Sequence, residues 1–236
     1  YFATSPSFTN IIQDGQFTTD ASRDYTVKID VQNLQPGTYY YYRFEYQGNL
    51  SLTGRTKTAA SGSIANLRFG VVSCSDYENG YFNAYEHLMY RNDFDALVHL
   101  GDYIYEYGTG GYADENAVRL GRSLASDNNQ EIISLTDYRR RYAKYRTDKA
   151  LQAAHQQHAF LLVWDDHEVC NDAWLSGAEN HQSNEGSYQA RKLAALQAYF
   201  EWMPIRPQVD AGKALYRHFR FGDLLSIYML DTRLEA

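Results

Sequence analysis

From residue 25 the chain alternates apolar and polar positions. Tyr25, Val27, Ile29 and Val31 share one side of a two-residue period, which predicts a half-buried strand. Leu34-Gln35-Pro36-Gly37-Thr38 has proline and glycine where a turn takes them. Alternation then resumes over 38–46, with Tyr40, Tyr42, Phe44 and Tyr46 expected on one face. Residues 52–58 predict a third strand. A β-sandwich normally needs about seven strands, so residues 1–60 are expected to be the C-terminal part of such a domain.

Ala59-Ala60-Ser61-Gly62-Ser63 is a small-residue linker, and the pattern changes after it. Short apolar runs at 67–72, 94–100 and 159–164 predict buried strands of a parallel sheet. Helical periodicity predicts helices over 81–90, 137–146, 149–156 and 187–202. Tyr138, Tyr142 and Tyr145 form one stripe of the second helix. Ser187 can cap the last helix and Pro204 stops it. Residues 109–134, polar and glycine-bearing, are expected to be a surface excursion. Residues 215–221 and 224–230 read as a hairpin around Gly222-Asp223. The class is α/β, built from β-α-β units. Three apolar strands run into ligand-type residues, Cys74, Asp102 and Asp166, and a fourth into Asp231. In a parallel sheet such carboxyl ends share one edge, where ligands collect.

Composition narrows the function classes. The net charge of -7 disfavours nonspecific nucleic-acid binding. No apolar run approaches the roughly 20 residues of a transmembrane segment. Tyrosine is the outlier, 22 residues against 11 phenylalanines, so most phenols are expected to be packing.

The candidate chemistry clusters at the strand ends. Asp102 has two carboxylate oxygens and can bridge two cations, or it can cap the turn after its strand. A single helical turn after Asp102 would aim the Tyr105 phenol at the same point. Taken alone, Tyr105 is read as packing, because a phenol binds tightly near neutral pH only to a strong Lewis acid such as Fe³⁺. Cys74 is open between inert packing, thiolate ligation of zinc or iron, and a disulfide with Cys170. In the dense run from Asp165 to Asp172, Asp166, Glu168 and Asn171 offer oxygen ligands to hard cations, unless the run is an exposed loop. His167 there suits protonation of a leaving group. His99 is expected to be a satisfied core histidine, and His155 and His158 to end a helix. No phosphate-loop lysine follows Gly108-Thr109-Gly110-Gly111, and no Gly-x-Ser-x-Gly elbow occurs.

Five stretches, in order, carry a resemblance: Phe69-Gly70-Val71-Val72-Ser73-Cys74, Gly80-Tyr81-Phe82-Asn83-Ala84-Tyr85, His99-Leu100-Gly101-Asp102-Tyr103-Ile104-Tyr105-Glu106, Trp164-Asp165-Asp166-His167-Glu168-Val169 and Asp231-Thr232-Arg233. Over roughly residues 67–236 the chain resembles the PhoD-type alkaline phosphatases. Residues 1–60 resemble the last strands of a fibronectin- or immunoglobulin-like sandwich preceding the catalytic domain. The resemblance implies a metallophosphoesterase-like αββα sandwich over 67–236, its C-terminal part missing. It also implies hydrolysis of small-molecule phosphate esters, extracellular or periplasmic, by a metal-bound hydroxide or oxide. Carried over, Cys74, Asp102 and Tyr105 are the Fe³⁺ ligands, and Asp102, Asp166 and Asn171 bind Ca²⁺. His167 and Arg233 are the catalytic candidates. Cys170 departs from the family, which commonly has an acidic residue there. Further aspartate and histidine ligands are expected from a C-terminal segment of the same protein. The competing reading is a secreted metal-binding or adhesive module with a degenerate site.

Overall fold

The computed structural model describes residues 1–206 and 215–235. The N-terminal part holds six short strands: β1 (Phe2–Ala3), β2 (Ile11–Gln13), β3 (Tyr39–Tyr42), β4 (Glu45–Tyr46), β5 (Asn49–Leu50) and β6 (Gly54–Lys57). Four form an antiparallel sheet in the order β2-β1-β3-β6, and β4-β5 is a separate hairpin. The strand expected over 25–31 does not form. Tyr25 takes a left-handed backbone, φ 55°, and β3 already has partners on both edges, β1 and β6. The tyrosine face also ends early. Tyr40 is buried against Phe2, but Phe44 and Tyr46 are exposed because the strand breaks between β3 and β4.

The second part is organised by the parallel sheet β7 (Phe69–Val72), β8 (Ala96–His99) and β9 (Phe160–Leu162). Between them come α1 (Asn83–Met89), α2 (Ala117–Leu120), α3 (Leu135–Tyr145) and α4 (Lys149–Gln157). After them come β10 (Ala173–Trp174), β11 (Gly177–Ala178), α5 (Tyr188–Trp202), β12 (Arg217–Phe221) and β13 (Leu225–Met229). The central strand is buried on both faces. Leu97 joins the core formed with Tyr103, Tyr142, Leu151 and Tyr199, whereas Ala96 and Val98 pack under the β12–β13 hairpin with Phe221 and Met229. That two-sided burial is why β8 reads as a continuous apolar run.

The helices start where their caps dictate. Ser134 and Asp137 form a reciprocal capping box at α3, Asp148 caps α4 and Ser187 caps α5. Tyrosines of α3 fill the core, and two of the three buried hydroxyls, those of Tyr138 and Tyr145, find partners there. The Tyr138 hydroxyl donates to the Val169 carbonyl at 2.5 Å. Residues 109–134 run largely along the surface, as expected, but are tied down at several points. They contain α2 and bury Leu124, Asn128 and Ile132. Buried Arg141 causes this, since its guanidinium gathers carbonyls from both 105–107 and 128–130. Among the described residues no helix is long and apolar enough to cross a membrane.

Candidate metal centre

The register of the parallel sheet sets the site. Val72 lies opposite His99, and His99 opposite Leu162, so the three strands end at one edge. Backbone bonds tie the loops beyond that edge. Cys74 N–H donates to the Gly101 carbonyl at 3.2 Å and Ser75 N–H to the Asp102 carbonyl at 2.9 Å. Cys74 and Asp102 are both left-handed, φ 57° and 54°, a conformation that costs a non-glycine residue about 1–2 kcal/mol. Gly101, φ 108°, lets the third loop approach. A Cβ there would sit 2.2 Å from the Asp165 nitrogen.

Buried Glu168 fastens the second loop to the third. Its Oε2 accepts from the Asp102 and Asp165 N–H groups at 3.1 and 2.9 Å, and its Oε1 from Tyr103 N–H at 2.6 Å. Burial pushes its pKa up to about 8, against the pull of these three donors. His99 supports the same turn from beneath. Its Nδ1 accepts from Gly101 N–H at 3.2 Å, so Nε2 carries the proton and donates to the Tyr85 hydroxyl at 2.9 Å. Tyr85 in turn meets Ser75 Oγ at 2.6 Å.

Asp102 is the centre of the arrangement. Its Oδ2 lies 3.4 Å from both Cys74 Sγ and the Tyr105 hydroxyl. Its Oδ1 is buried and has no hydrogen-bond partner. Asp102, Asp166 and His167 each place a ligand atom within 4.8 Å of the others. Atoms held about 2.0–2.4 Å from one cation lie roughly 3–4 Å apart, so both 3.4 Å spacings match shared ligation, and the one from Tyr105 is long for an O–H···O bond. Burial raises the pKa of Asp102, Cys74 and Tyr105, and the neighbouring acids raise Tyr105 further. A bound cation reverses that balance, so the donor set fits a metal.

Comparison with known proteins agrees with this geometry. The family model described as "PhoD-like phosphatase" matches residues 69–236, and "PhoD-like phosphatase, N-terminal domain" matches residues 1–60. The chain belongs to the PhoD-like phosphatase family. It is 40% identical to alkaline phosphatase D of Bacillus subtilis (strain 168) over 231 residues, covering 96% of this chain and 38% of that protein. A solved structure titled "Structure of PhoD" superposes with a TM-score of 0.85 at 38% identity, covering 99% of this chain and 44% of the other. The chain therefore spans less than half the length of these PhoD relatives.

Of the residues expected in the PhoD-like site, Cys74, Asp102, Tyr105, Asp166 and His167 converge directly. Tyr105 arrives through an irregular loop and not through the helical turn expected after Asp102. Cys74 and Cys170 are both free, so the disulfide alternative falls, and burial pushes the Cys170 thiol up to about 12. Asn171 stands beside the cluster. Its backbone N–H donates to Glu106 at 2.7 Å and its Nδ2 to Glu179 at 2.9 Å, which leaves its Oδ1 as the acceptor. The fourth strand end contributes through Arg233. Asp231 accepts from the Arg233 and Leu234 N–H groups, while the Arg233 guanidinium pairs with Asp165, with Asp166 at 3.2 Å and with Asp172 at 3.6 Å.

The supporting roles of two carboxylates were not read from the sequence. Glu168 reads as one more ligand in a polar run, yet it is spent on backbone N–H groups. Glu106 follows an apolar stretch and is fully buried. It accepts from His167 Nδ1 at 2.8 Å, from Asn171 N–H and from Asn180 Nδ2. Burial pulls His167 down, but the Glu106 bond and charge, with Asp102 and Asp166, outweigh it and raise the ring to about 9. A charged residue inside an otherwise apolar run was the one available clue to Glu106.

Proposed function

We propose that the protein hydrolyses phosphate esters at the sheet edge formed by Cys74, Asp102 and Asp166, as an alkaline phosphatase or phosphodiesterase that depends on bound metal. The observation that carries this reading is the unpartnered, buried Oδ1 of Asp102 among converging ligand atoms, together with membership of the phosphatase family. Fe³⁺ would be held by Cys74, Asp102 and Tyr105, and Ca²⁺ by Asp102, Asp166 and Asn171. A phenol, a thiol and a carboxylate suit a strong Lewis acid, while carboxylate and amide oxygens suit a hard cation. When bound, these ions supply positive charge to the phosphoryl oxygens and Lewis acidity.

The chain's own residues do the rest. Glu106 grips His167 Nδ1, so Nε2 is the ring atom left to hold a proton for the departing ester oxygen. Arg233 aligns Asp165 and Asp166 and keeps guanidinium donors beside the place where phosphate binds. Glu168 and Gly101 fix the separation of the Asp102 and Asp166 loops.

The same reading divides the chain into the end of a fibronectin- or immunoglobulin-like sandwich, residues 1–60, and a metallophosphoesterase-like αββα domain, residues 67–236. Val71 and Leu100, exposed in neighbouring rows on one face of the sheet, support a further C-terminal segment of the same protein that packs here and completes the ligand set. The place of action is extracellular or periplasmic, which fractionation of the source cells tests. For the reaction itself, the full-length native protein with added Ca²⁺ is assayed on 4-nitrophenyl phosphate and bis(4-nitrophenyl) phosphate. Turnover that disappears in Asp102→Ala supports the proposal. Turnover that Asp102→Ala leaves intact refutes it.

A further inference from the structure

Beside the candidate metal centre four aromatic rings form a continuous surface. Tyr105, whose hydroxyl faces Asp102, stacks on His167 with centroids 4.2 Å apart and planes 29° apart. Tyr112 lies 6.1 Å from Tyr105 and within 6° of parallel to it. Tyr107 closes the group, 5.3 Å from Tyr112 and 5.6 Å from His167. The surface begins at buried Tyr105 and ends at Tyr112, which is 53% exposed.

The surface is braced. Arg141, 1% exposed, donates to the carbonyls of both Tyr105 and Tyr107, the latter at 2.7 Å. The same guanidinium donates to the Asn128 and Gln130 carbonyls at 3.2 and 3.0 Å. Gly108 presses on the backbone of 130–131, where a Cβ would meet the Gln130 carbonyl carbon at 2.7 Å. Thr109 N–H completes the tie, donating to the Asn129 carbonyl at 2.9 Å. A buried guanidinium and a close-packed backbone hold the Tyr105 and Tyr107 backbone in place before any ligand arrives, which lowers the ordering cost of binding. Packing needs account for Tyr105. Tyr112, at the end of the group, is left half-exposed.

We infer that Tyr112, with Tyr107, is a specificity-determining ledge that stacks on a planar aromatic group in the alcohol portion of the phosphate ester. This rests on the phosphate-ester reading, since the ledge adjoins His167, the group assigned to the departing oxygen. Ring orientation selects the class of ligand. A box for a quaternary ammonium needs rings crossed on several sides. Tyr105 and Tyr112 are nearly parallel and Tyr107 is 31° from Tyr112, so the rings stack and do not box a ligand in on several sides. A flat aryl or nucleobase ring matches such a stack, and a saturated glycerol chain does not.

The test compares phenyl phosphate, glycerol 3-phosphate and choline phosphate on the full-length, metal-loaded protein and on Tyr112→Ala and Tyr112→Phe. Intrinsic leaving-group reactivity cancels when the kcat/KM ratio of phenyl to glycerol ester is compared between proteins. A stacked ring pair is worth a factor of roughly two to twelve in binding. The ratio is therefore expected to fall about three- to tenfold in Tyr112→Ala, mainly through KM of the phenyl ester, and to recover in Tyr112→Phe. Phenylphosphonate, a ligand that is not turned over, is expected to lose affinity in parallel while methylphosphonate loses less. An unchanged ratio overturns the ledge and leaves the phosphate-ester reading standing. A loss centred on choline phosphate overturns it in favour of a cation. Absence of turnover on all three esters, with no binding of either phosphonate, overturns the phosphate-ester reading and the ledge together.

Discussion

Asp102 combines two unfavourable features, a left-handed backbone and a buried oxygen without a partner. Each costs on the order of 1–3 kcal/mol, and a cation at Oδ1 would offset the second. Asp102→Asn is accordingly expected to lower metal content and to reduce turnover by at least about 100-fold, since even residues that only support metal ligands are worth 10- to 100-fold. Elemental analysis alongside the ester assay checks this. Glu168 is such a supporting residue. Glu168→Gln sets an amide against backbone N–H donors, and metal affinity is expected to fall about 10- to 100-fold while every proposed ligand remains. Isothermal titration with Ca²⁺ reads that loss, and unaltered affinity contradicts the role. Tyr105 has a spectral test. A Tyr105 phenolate on Fe³⁺ would give visible charge transfer, which Tyr105→Phe is expected to bleach.

Strand ends and the loops beyond them make the site, so changes there act on several ligands at once. Gly101→Ala places a Cβ 2.2 Å from the Asp165 nitrogen at φ 108°. It is expected to cost about 3 kcal/mol or more, by strain and displaced backbone, and to weaken metal binding by parting the Asp102 loop from the Asp165-Asp166 loop. Urea unfolding checks the first effect and metal titration the second. At this scale the sequence was readable where one rule dominates. Two-sided burial announces β8 and β9, and the capping serines and aspartates announce α3, α4 and α5. It was unreadable where a distant partner decides. Residues 25–31 alternate correctly yet find both edges of β3 taken. Residues 109–134 look solvated, but Arg141, at the far side of that segment, ties part of them down. Cys74, Asp102 and Asp166 could be grouped because parallel strands share an edge. Glu106 could not, because its partners His167, Asn171 and Asn180 lie more than sixty residues away.

For the whole molecule, the site is held by a buried polar layer that ties stability to pH. His99 lies inside the sheet, where burial and the Arg146 charge lower its pKa to about 3. The unfolded chain has the ordinary value near 6.5 and takes the proton first. His99 therefore costs nothing above pH 6.5, and stability drops by about 1.4 kcal/mol per pH unit as pH falls from 6.5 toward 3. Glu168, raised to about 8, acts in the opposite sense between pH 8 and its ordinary carboxylate range, so the wild-type profile alone mixes the two. The stability difference between wild type and His99→Leu isolates His99. It is expected to be constant above pH 6.5 and to move by that slope below it, as read by urea unfolding at several pH values. A difference independent of pH contradicts the buried neutral imidazole. The account as a whole stands on cations gathered by separate strand ends. Its most direct test is a crystal structure of the full-length native protein with anomalous data collected across the iron edge. The expected result is an iron peak bounded by Cys74, Asp102 and Tyr105, with a second cation reached by Asp102 and Asp166. Ions bound elsewhere, with Asp102 Oδ1 facing only protein, would contradict it.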